Sequence, residues 1–247
     1  VSSLDAALAA ALDGLAGRRP LLLASDYDGV LARLRDDPST AVPEPGTAEL
    51  LSRLAGAEGV TVALVSGRGV ADLQATSGLT GPFRWIGSHG AEFDGPLAGE
   101  LREVRDELVA VMTPLVDAVP GARLEVKPAA VAVHVRTADP AAGRALLERA
   151  AAAAGPHHTP KPGKDVLELA VTDADKGSAL LRLRAELGAA AAVYLGDDVT
   201  DEDAFRALPD GDVTVKVGDG GTTARYRVPD LAGVQALLER LAGALGA

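Results

Sequence analysis

Leu21-Leu22-Leu23-Ala24-Ser25 runs straight into Asp26-Tyr27-Asp28-Gly29. A short apolar run closed by a polar turn reads as a buried strand. Its two carboxylates stand two residues apart just past the C-terminal edge, where open parallel sheets place their ligands. A solvated Asp-Gly turn or a calcium loop would also carry such residues. An EF-hand loop needs further oxygen ligands and a late Glu, whereas Val30-Leu31 follows here at once.

Outward from this stretch, apolar runs alternate with helical patterns. Val60 to Val65 reads as a second buried strand ending in Ser66-Gly67-Arg68-Gly69, and Arg84 to Gly87, Ala192 to Leu195 and Val213 to Val217 read as further strands. Thr47 to Ala57, with Leu50, Leu51 and Leu54 inward, reads as a helix, as do Val70 to Thr76, Lys176 to Leu187, Asp201 to Leu208 and Leu231 to Leu245. This alternation predicts βαβ units and a parallel sheet. The rhythm changes near Pro96. A helix is expected over Ala98 to Asp117, a hairpin from Ala122–Val126 and Val131–Arg136, a helix over Ala141 to Ala154, a Pro/Gly/His loop over Gly155 to Lys164, and a strand over Asp165 to Val171. The expected organisation is an α/β core formed by 1–96 and 172–247, interrupted by an α+β insert at 97–171. Leu4, Leu8, Leu12 and Leu15 mark one face of an N-terminal amphipathic helix.

The 247 residues correspond to one or two domains at ~150 residues each. The formal net charge of −11 disfavours nucleic acid and anionic membranes as partners. With no cysteine, disulfides, Cys-ligated zinc, iron–sulfur clusters and a thiol nucleophile are excluded. That composition is compatible with a reducing cytosol, and a cytoplasmic location is the expectation. No apolar run reaches the ~18 residues of a membrane span, and Val1 to Gly17 has neither the basic start nor the apolar centre of a secretion signal. A chain that opens on Val1 reads as a trimmed one, and a monomer is expected.

The chemistry gathers at strand ends. Ser66 followed by Gly67 and Arg68 reads either as a helix cap or as a phosphate contact. It is not in a Gly-x-Ser-x-Gly elbow, so a serine hydrolase is rejected. Gly196-Asp197-Asp198-Val199-Thr200-Asp201-Glu202-Asp203 follows another apolar strand. Acidic residues at a helix start are ordinary, which covers Thr200 onward but not Asp197-Asp198. Two strand ends with paired Asp point to one sheet edge. Crowded carboxylates repel, and a hard divalent cation such as Mg²⁺ relieves that repulsion through oxygen ligands. Lys176, in Asp175-Lys176-Gly177, is either a surface lysine or the group that holds one of these carboxylates in register. The pair His157-His158 reads as loop, and His89 as structural. No Gly-x-x-x-x-Gly-Lys-Ser/Thr loop supports a kinase.

The order Asp-x-Asp-Gly, Ser-Gly-Arg, Asp-Lys-Gly, Gly-Asp-Asp-x-Thr-Asp resembles the haloacid dehalogenase superfamily of phosphatases, and the insert resembles its C2-type cap. The nearer resemblance is to the trehalose-6-phosphate phosphatases. It rests on Ser25 to Gly29, Val65 to Arg68, Ser88-His89-Gly90-Ala91-Glu92, Glu125-Val126-Lys127 with His134-Val135-Arg136, Gly163-Lys164 with Glu168, Asp175 to Gly177, and Gly196 to Phe205. It extends from about Pro20 to the last helix. Val30 stands where a Thr is usual, and Pro128-Ala129-Ala130 is unusual for the cap hairpin.

The resemblance implies a Rossmann-like haloacid dehalogenase core with a capping insert. It also implies Mg²⁺-dependent hydrolysis of a sugar phosphate through an aspartyl-phosphate. Asp26 would be the nucleophile and Asp28 the general acid and base. Mg²⁺ would sit on Asp26, Asp197 and the Asp28 backbone carbonyl, with Asp198 and Asp201 supporting it. Ser66 and Lys176 would hold the phosphoryl oxygens, Gly67 and Arg68 would line the substrate site, and Glu125, Lys127, Arg136 and Glu168 would read the sugar. Without the resemblance, those four charged residues read as the solvated face of a hairpin. A trehalose-6-phosphate synthase is the protein partner it raises. Two other readings stand beside this one. One is a related capped phosphatase for another sugar phosphate. The other is a catalytically silent domain that binds a sugar phosphate or a synthase.

Overall fold

A computed structural model describes residues 4–155 and 158–247. The chain separates into two units: one runs to Gly95 and resumes at Ala174, and the other is Pro96–Asp173. The 97–171 block read from the sequence lies inside the second unit.

In the first unit, β1 (Leu21–Asp26), β2 (Val60–Val65), β3 (Arg84–Gly87) and β4 (Glu92–Phe93) precede the insert. Helices α1 (Ala6–Asp13), α2 (Thr47–Ala55) and α3 (Val70–Ser77) accompany them. The second unit contributes α4 (Gly99–Asp117), β5 (Arg123–Lys127), β6 (Ala130–His134), α5 (Pro140–Ala154), β7 (Thr159–Gly163) and β8 (Val166–Ala170). The first unit then resumes with α6 (Lys176–Glu186), β9 (Ala191–Gly196), α7 (Asp201–Ala207), β10 (Val213–Val217), β11 (Tyr226–Val228) and α8 (Leu231–Leu245).

Among the described residues, the first unit's sheet has the order β11-β10-β9-β1-β2-β3-β4. All its pairs are parallel except β3 with β4. Every residue of β1, β9 and β10 is buried, because helices cover both faces of a parallel sheet. Successive side chains point to opposite faces, so each strand feeds two cores. Leu21, Leu23, Val62, Leu64, Val193 and Val215 pack with Leu8, Leu12, Leu51, Leu54, Leu237 and Leu241 of α1, α2 and α8. Leu22, Ala24, Ala63, Val65, Ala192 and Tyr194 pack with Leu180, Leu183, Ala204 and Phe205 of α6 and α7. Burying one such leucine is worth about 2 kcal/mol. Asp175 caps α6 in a reciprocal box with Ser178, satisfying first-turn N–H groups that would otherwise be orphaned.

The chain runs from β1 outward through β2 and β3, then returns to the other side of β1 as β9. The strand order therefore reverses at β1, the crevice where open sheets bind ligands. Register makes the strand ends level: Asp26 pairs with Val65, and Ser25 with Leu195. Asp26, Ser66 and Asp197 thus emerge at one edge.

The second unit is an antiparallel sheet of order β5-β6-β8-β7 among the described residues. Its α4 and α5 bury Leu108, Met112, Val116, Leu146 and Ala150. Part of the expected Gly155–Lys164 loop is the strand β7, paired along its length with β8. Pro160 and Pro162 made this stretch read as a loop. They are tolerated because β7 is an edge strand, where a missing N–H breaks no second ladder. His157 lies outside the described residues.

Candidate active site

The site is built where β1, β2 and β9 end. A cavity of about 620 Å³ there is lined by residues that include Asp26, Asp28, Ser66, Gly67, Arg68, Lys176, Asp197 and Asp198. All of these belong to the first unit. The structure therefore brings together the catalytic and metal-ligating residues read from the sequence.

Lys176 opens α6 with its side chain only 2% exposed, and its Nζ donates to Asp26 Oδ2 at 2.6 Å and to Asp201 Oδ1 at 2.7 Å. A buried ammonium held between two carboxylates is fixed in position. Burial opposes its charge, but Asp26 and Asp201 outweigh that and raise its pKa above the ordinary lysine value. Burial pushes Asp26 up to about 8; Lys176 offsets part of this, and Asp201 adds to it. Asp26 Oδ1 also accepts from the Tyr27 N–H at 2.6 Å. Asp197 rises to about 6, through burial first and then the Asp201 charge.

Asp201 is the frame of the acidic end. Besides Lys176, its Oδ1 accepts from the Tyr194 hydroxyl at 2.6 Å, and its Oδ2 accepts from the backbone N–H groups of Asp197 and Asp198, each at 2.9 Å. Ligand atoms of Asp26, Asp197 and Asp201 lie within 4.8 Å of one another, a spacing that suits a metal ion. With four donors already on its carboxylate, Asp201 serves better to orient the Asp197–Asp198 turn than to hold an ion itself. Asp198 is exposed, and its Oδ1 accepts from the Val199 N–H at 2.6 Å. Two glycines let these groups close up. A Cβ on Gly29, whose φ is +80°, would lie 2.0 Å from Asp197 Oδ2, and one on Gly196 would lie 2.3 Å from Asp201 Cγ.

On the opposite side of Asp26, Ser66 is buried and its Oγ accepts from the Arg68 N–H at 3.1 Å. Its hydroxyl hydrogen remains available to a ligand. Arg68 itself is engaged with protein. Its Nε and one terminal nitrogen donate to the two oxygens of Asp28 at 2.7 and 2.9 Å, and further contacts go to Asp72 at 3.0 Å and the Pro38 carbonyl at 2.7 Å.

The expected sugar-reading residues lie in the second unit. Glu125 pairs across Ala132 with Glu168, so these two share a face of the sheet, and Lys127, two residues on, shares it as well. Lys127 Nζ is 2.5 Å from Glu168 Oε2, and His134 Nε2 is 2.7 Å from Glu125 Oε2. Arg136 is exposed in the turn after β6.

Two residues escaped the sequence reading. Lys216, in the fully buried β10, donates to the Asp197 carbonyl, and a cation inside a buried run was the signal. Tyr194 gave a similar signal, as the one hydroxyl in an alanine-rich strand. His134, quoted with Arg136 for the resemblance, was given no role there, and the structure pairs it with Glu125.

A family model for trehalose-phosphatase matches residues 24–229. A trehalose-phosphate phosphatase of Mycolicibacterium paratuberculosis is 38% identical, over 97% of this chain and 66% of its own length. A bifunctional trehalose-6-phosphate synthase/phosphatase of Thermoproteus tenax is also 38% identical, over 92% of this chain but 32% of its own. The chain thus spans about a third of one of these relatives and just under two thirds of the other. The solved structure of Aspergillus fumigatus trehalose-6-phosphate phosphatase superposes with a TM-score of 0.77 at 27% identity, covering 98% of this chain and 99% of that one. With a carboxylate-lined edge at the reversal of a parallel sheet and a family match across most of its length, this chain belongs to the trehalose-phosphatase family.

Proposed function

We propose that the chain hydrolyses trehalose 6-phosphate to trehalose and phosphate through a phosphorylated Asp26, with Mg²⁺ at the acidic edge. The observation that carries this reading is Asp26 itself, buried at the reversal of the sheet between Lys176 and the turn that bears Asp197. The fit to a hard cation is chemical: oxygen donors only, crowded enough that burial raises both Asp26 and Asp197 above the usual carboxylate range. The Asp26 and Asp197 carboxylates and the Asp28 backbone carbonyl would hold Mg²⁺, with Asp198 supporting from the exposed side. When bound, the ion supplies positive charge that favours ionised Asp26 and balances the phosphoryl oxygens.

In the first step an Asp26 oxygen attacks phosphorus and the bond to the sugar oxygen breaks. Asp28 gives that oxygen a proton. In the second step water attacks the phosphorylated Asp26, the P–O bond to Asp26 breaks, and Asp28 takes the proton from water. Ser66 and Lys176 hold the transferring oxygens by donation, with Gly67 leaving the approach open. Glu125 and Glu168 as acceptors, and Lys127 and Arg136 as donors, make a set suited to sugar hydroxyls.

A synthase partner draws its support from the Thermoproteus tenax relative, which is named for both activities. A cytoplasmic location draws its support from the cysteine-free composition. Among the described residues, no helix is long and apolar enough to cross a membrane. The chain is taken to work as a monomer, which size-exclusion chromatography with light scattering checks.

The test is phosphate release from a panel of sugar phosphates with Mg²⁺ and after chelation. Trehalose 6-phosphate should be preferred, EDTA should remove turnover and Mg²⁺ should restore it. Asp26→Asn should abolish it with an unchanged circular dichroism spectrum. Preference for another sugar phosphate would reassign the substrate. Full activity after exhaustive chelation would remove the metal.

A further inference from the structure

Arg68 was expected to line the substrate site, yet its hydrogen bonds are directed to the protein. The guanidinium meets both carboxylate oxygens of Asp28 in a parallel fork, at 2.7 and 2.9 Å, with the Arg68 side chain 10% exposed and that of Asp28 29%. Its remaining contacts anchor it from behind: Asp72 one turn along the same segment, and the carbonyl of Pro38. It also lies over the Tyr27 ring, 5.9 Å from the centroid, a favourable place for a cation. Tyr27 is buried and donates its hydroxyl to the Ala41 carbonyl at 2.5 Å, so the ring is itself fixed. Four of the five guanidinium N–H groups are thus assigned, and Arg68 has little left for a ligand.

We propose that Arg68 is the positioning residue for Asp28, holding its carboxylate in place for the hydrolytic half of the reaction. The inference rests on the aspartyl-phosphate reading above and adds to it a division of labour between the two steps. A fork that engages both oxygens matches a carboxylate, the form that must accept a proton from water. In that step the water oxygen bonds to phosphorus, the bond to the Asp26 oxygen breaks and returns its electron pair to Asp26, and the water proton goes to Asp28. Without the fork, Asp28 is free to turn about its side-chain bonds. Misplacing a reacting group by about 1 Å costs on the order of 100-fold. The first step from an aryl phosphate makes no such demand, because a phenolate leaves without a proton.

The experiment follows the phosphoenzyme formed from ³²P-labelled p-nitrophenyl phosphate in the Mg²⁺-loaded protein, by acid quench during turnover and after a cold chase. Arg68→Gln and Arg68→Lys are compared with wild type, each alone and combined with Asp28→Asn. Arg68→Gln should slow phosphoenzyme decay by about 10- to 100-fold, lower kcat and KM together, and leave kcat/KM for the aryl phosphate within about threefold. Arg68→Lys should recover part of the loss, because it keeps the charge but not the fork. In the Asp28→Asn background, Arg68→Gln should add little, since residues acting through one group are not additive.

A fall in kcat/KM for trehalose 6-phosphate with decay unchanged would make Arg68 a substrate contact and overturn the proposal. Equal slowing in the Asp28→Asn background would overturn it too, because the effect would not run through Asp28. Absence of any phosphoenzyme, even in Asp28→Asn, would remove the aspartyl-phosphate reading itself and the proposal with it, an outcome distinct from the other two.

Discussion

Replacing Lys176 by Met removes an ammonium and keeps most of the volume of the side chain. The consequences follow from its two partners. Nζ lies 2.6 Å from Asp26 Oδ2 and 2.7 Å from Asp201 Oδ1, with side-chain exposures of 2%, 8% and 0%. Removing one partner of a buried ion pair costs about 3–5 kcal/mol. The lower end applies here for two reasons. Burial raises the pKa of Asp26, which makes its neutral form easier to reach once the lysine is gone, so Asp201 is the main charge left without its partner. Asp201 also keeps the Tyr194 hydroxyl and two backbone N–H groups. A loss of about 3 kcal/mol lowers the urea midpoint by roughly 1–3 M at an m value of about 1–3 kcal/mol/M. The assay is urea unfolding in EDTA at pH 7, followed by the fluorescence of Trp85, the single tryptophan, which sits on β3 in the first unit. Turnover should be lost as well. A midpoint within 0.2 M (about 0.4 kcal/mol) of wild type would refute the reasoning, since the lysine would then not be compensating a buried charge.

Three further outcomes are expected. The folded-state pKa of Asp26 is raised from 3.8 to about 8 and that of Asp197 to about 6, so the folded state binds these protons more tightly than the unfolded one. Stability in EDTA should therefore fall as pH rises from about 4 to about 8, and Asp26→Asn should flatten that slope; stability rising over this range would contradict the assigned burial. Gly29→Ala must fit a Cβ 2.0 Å from Asp197 Oδ2 at a φ of +80°; the left-handed strain alone costs about 1–2 kcal/mol, and kcat should fall on the order of 100-fold, measured across a Mg²⁺ titration. Lys127→Ala and Glu168→Ala should each lower kcat/KM for trehalose 6-phosphate roughly 5- to 150-fold, the worth of one unpaired polar group at about 1–3 kcal/mol. The same two changes should barely affect p-nitrophenyl phosphate; an unchanged ratio of the two substrates would mean these side chains only solvate the sheet.

Most of the architecture was legible because it is written in local periodicity. The runs Leu21 to Ser25 and Val60 to Val65 are strands in the structure, at or within one residue of the expected ends. What escaped was short or disguised. The two-residue β4 and three-residue β11 are too brief for a periodic signal, and each exists because a neighbouring strand offers it a ladder. The prolines of β7 argued locally for a loop, and only its place at the edge of a sheet made them harmless. At the site, Asp26, Asp28, Ser66 and Asp197 drew notice because they follow buried strands, while the roles of Ser66 and of Lys176, which opens α6, came from the family resemblance, since a helix cap and a surface lysine explain them equally well one residue at a time.

The sequence alone determined which residues stand at the ends of buried strands, since burial and period are properties of neighbouring residues. It could not determine what those residues touch. Arg68 and Asp28 are 40 residues apart, and Lys176 and Asp26 are 150 apart. Arg68 meets Asp28 because β2 lies beside β1 with their ends in register, and Lys176 meets Asp26 because α6 packs on the face of β1 and β9. That arrangement comes from packing helices on both faces of the sheet, an energy summed over the whole core rather than encoded in any one motif. Tertiary structure therefore decided that Asp201, not Asp198, braces the acidic turn, and that Arg68 closes on Asp28.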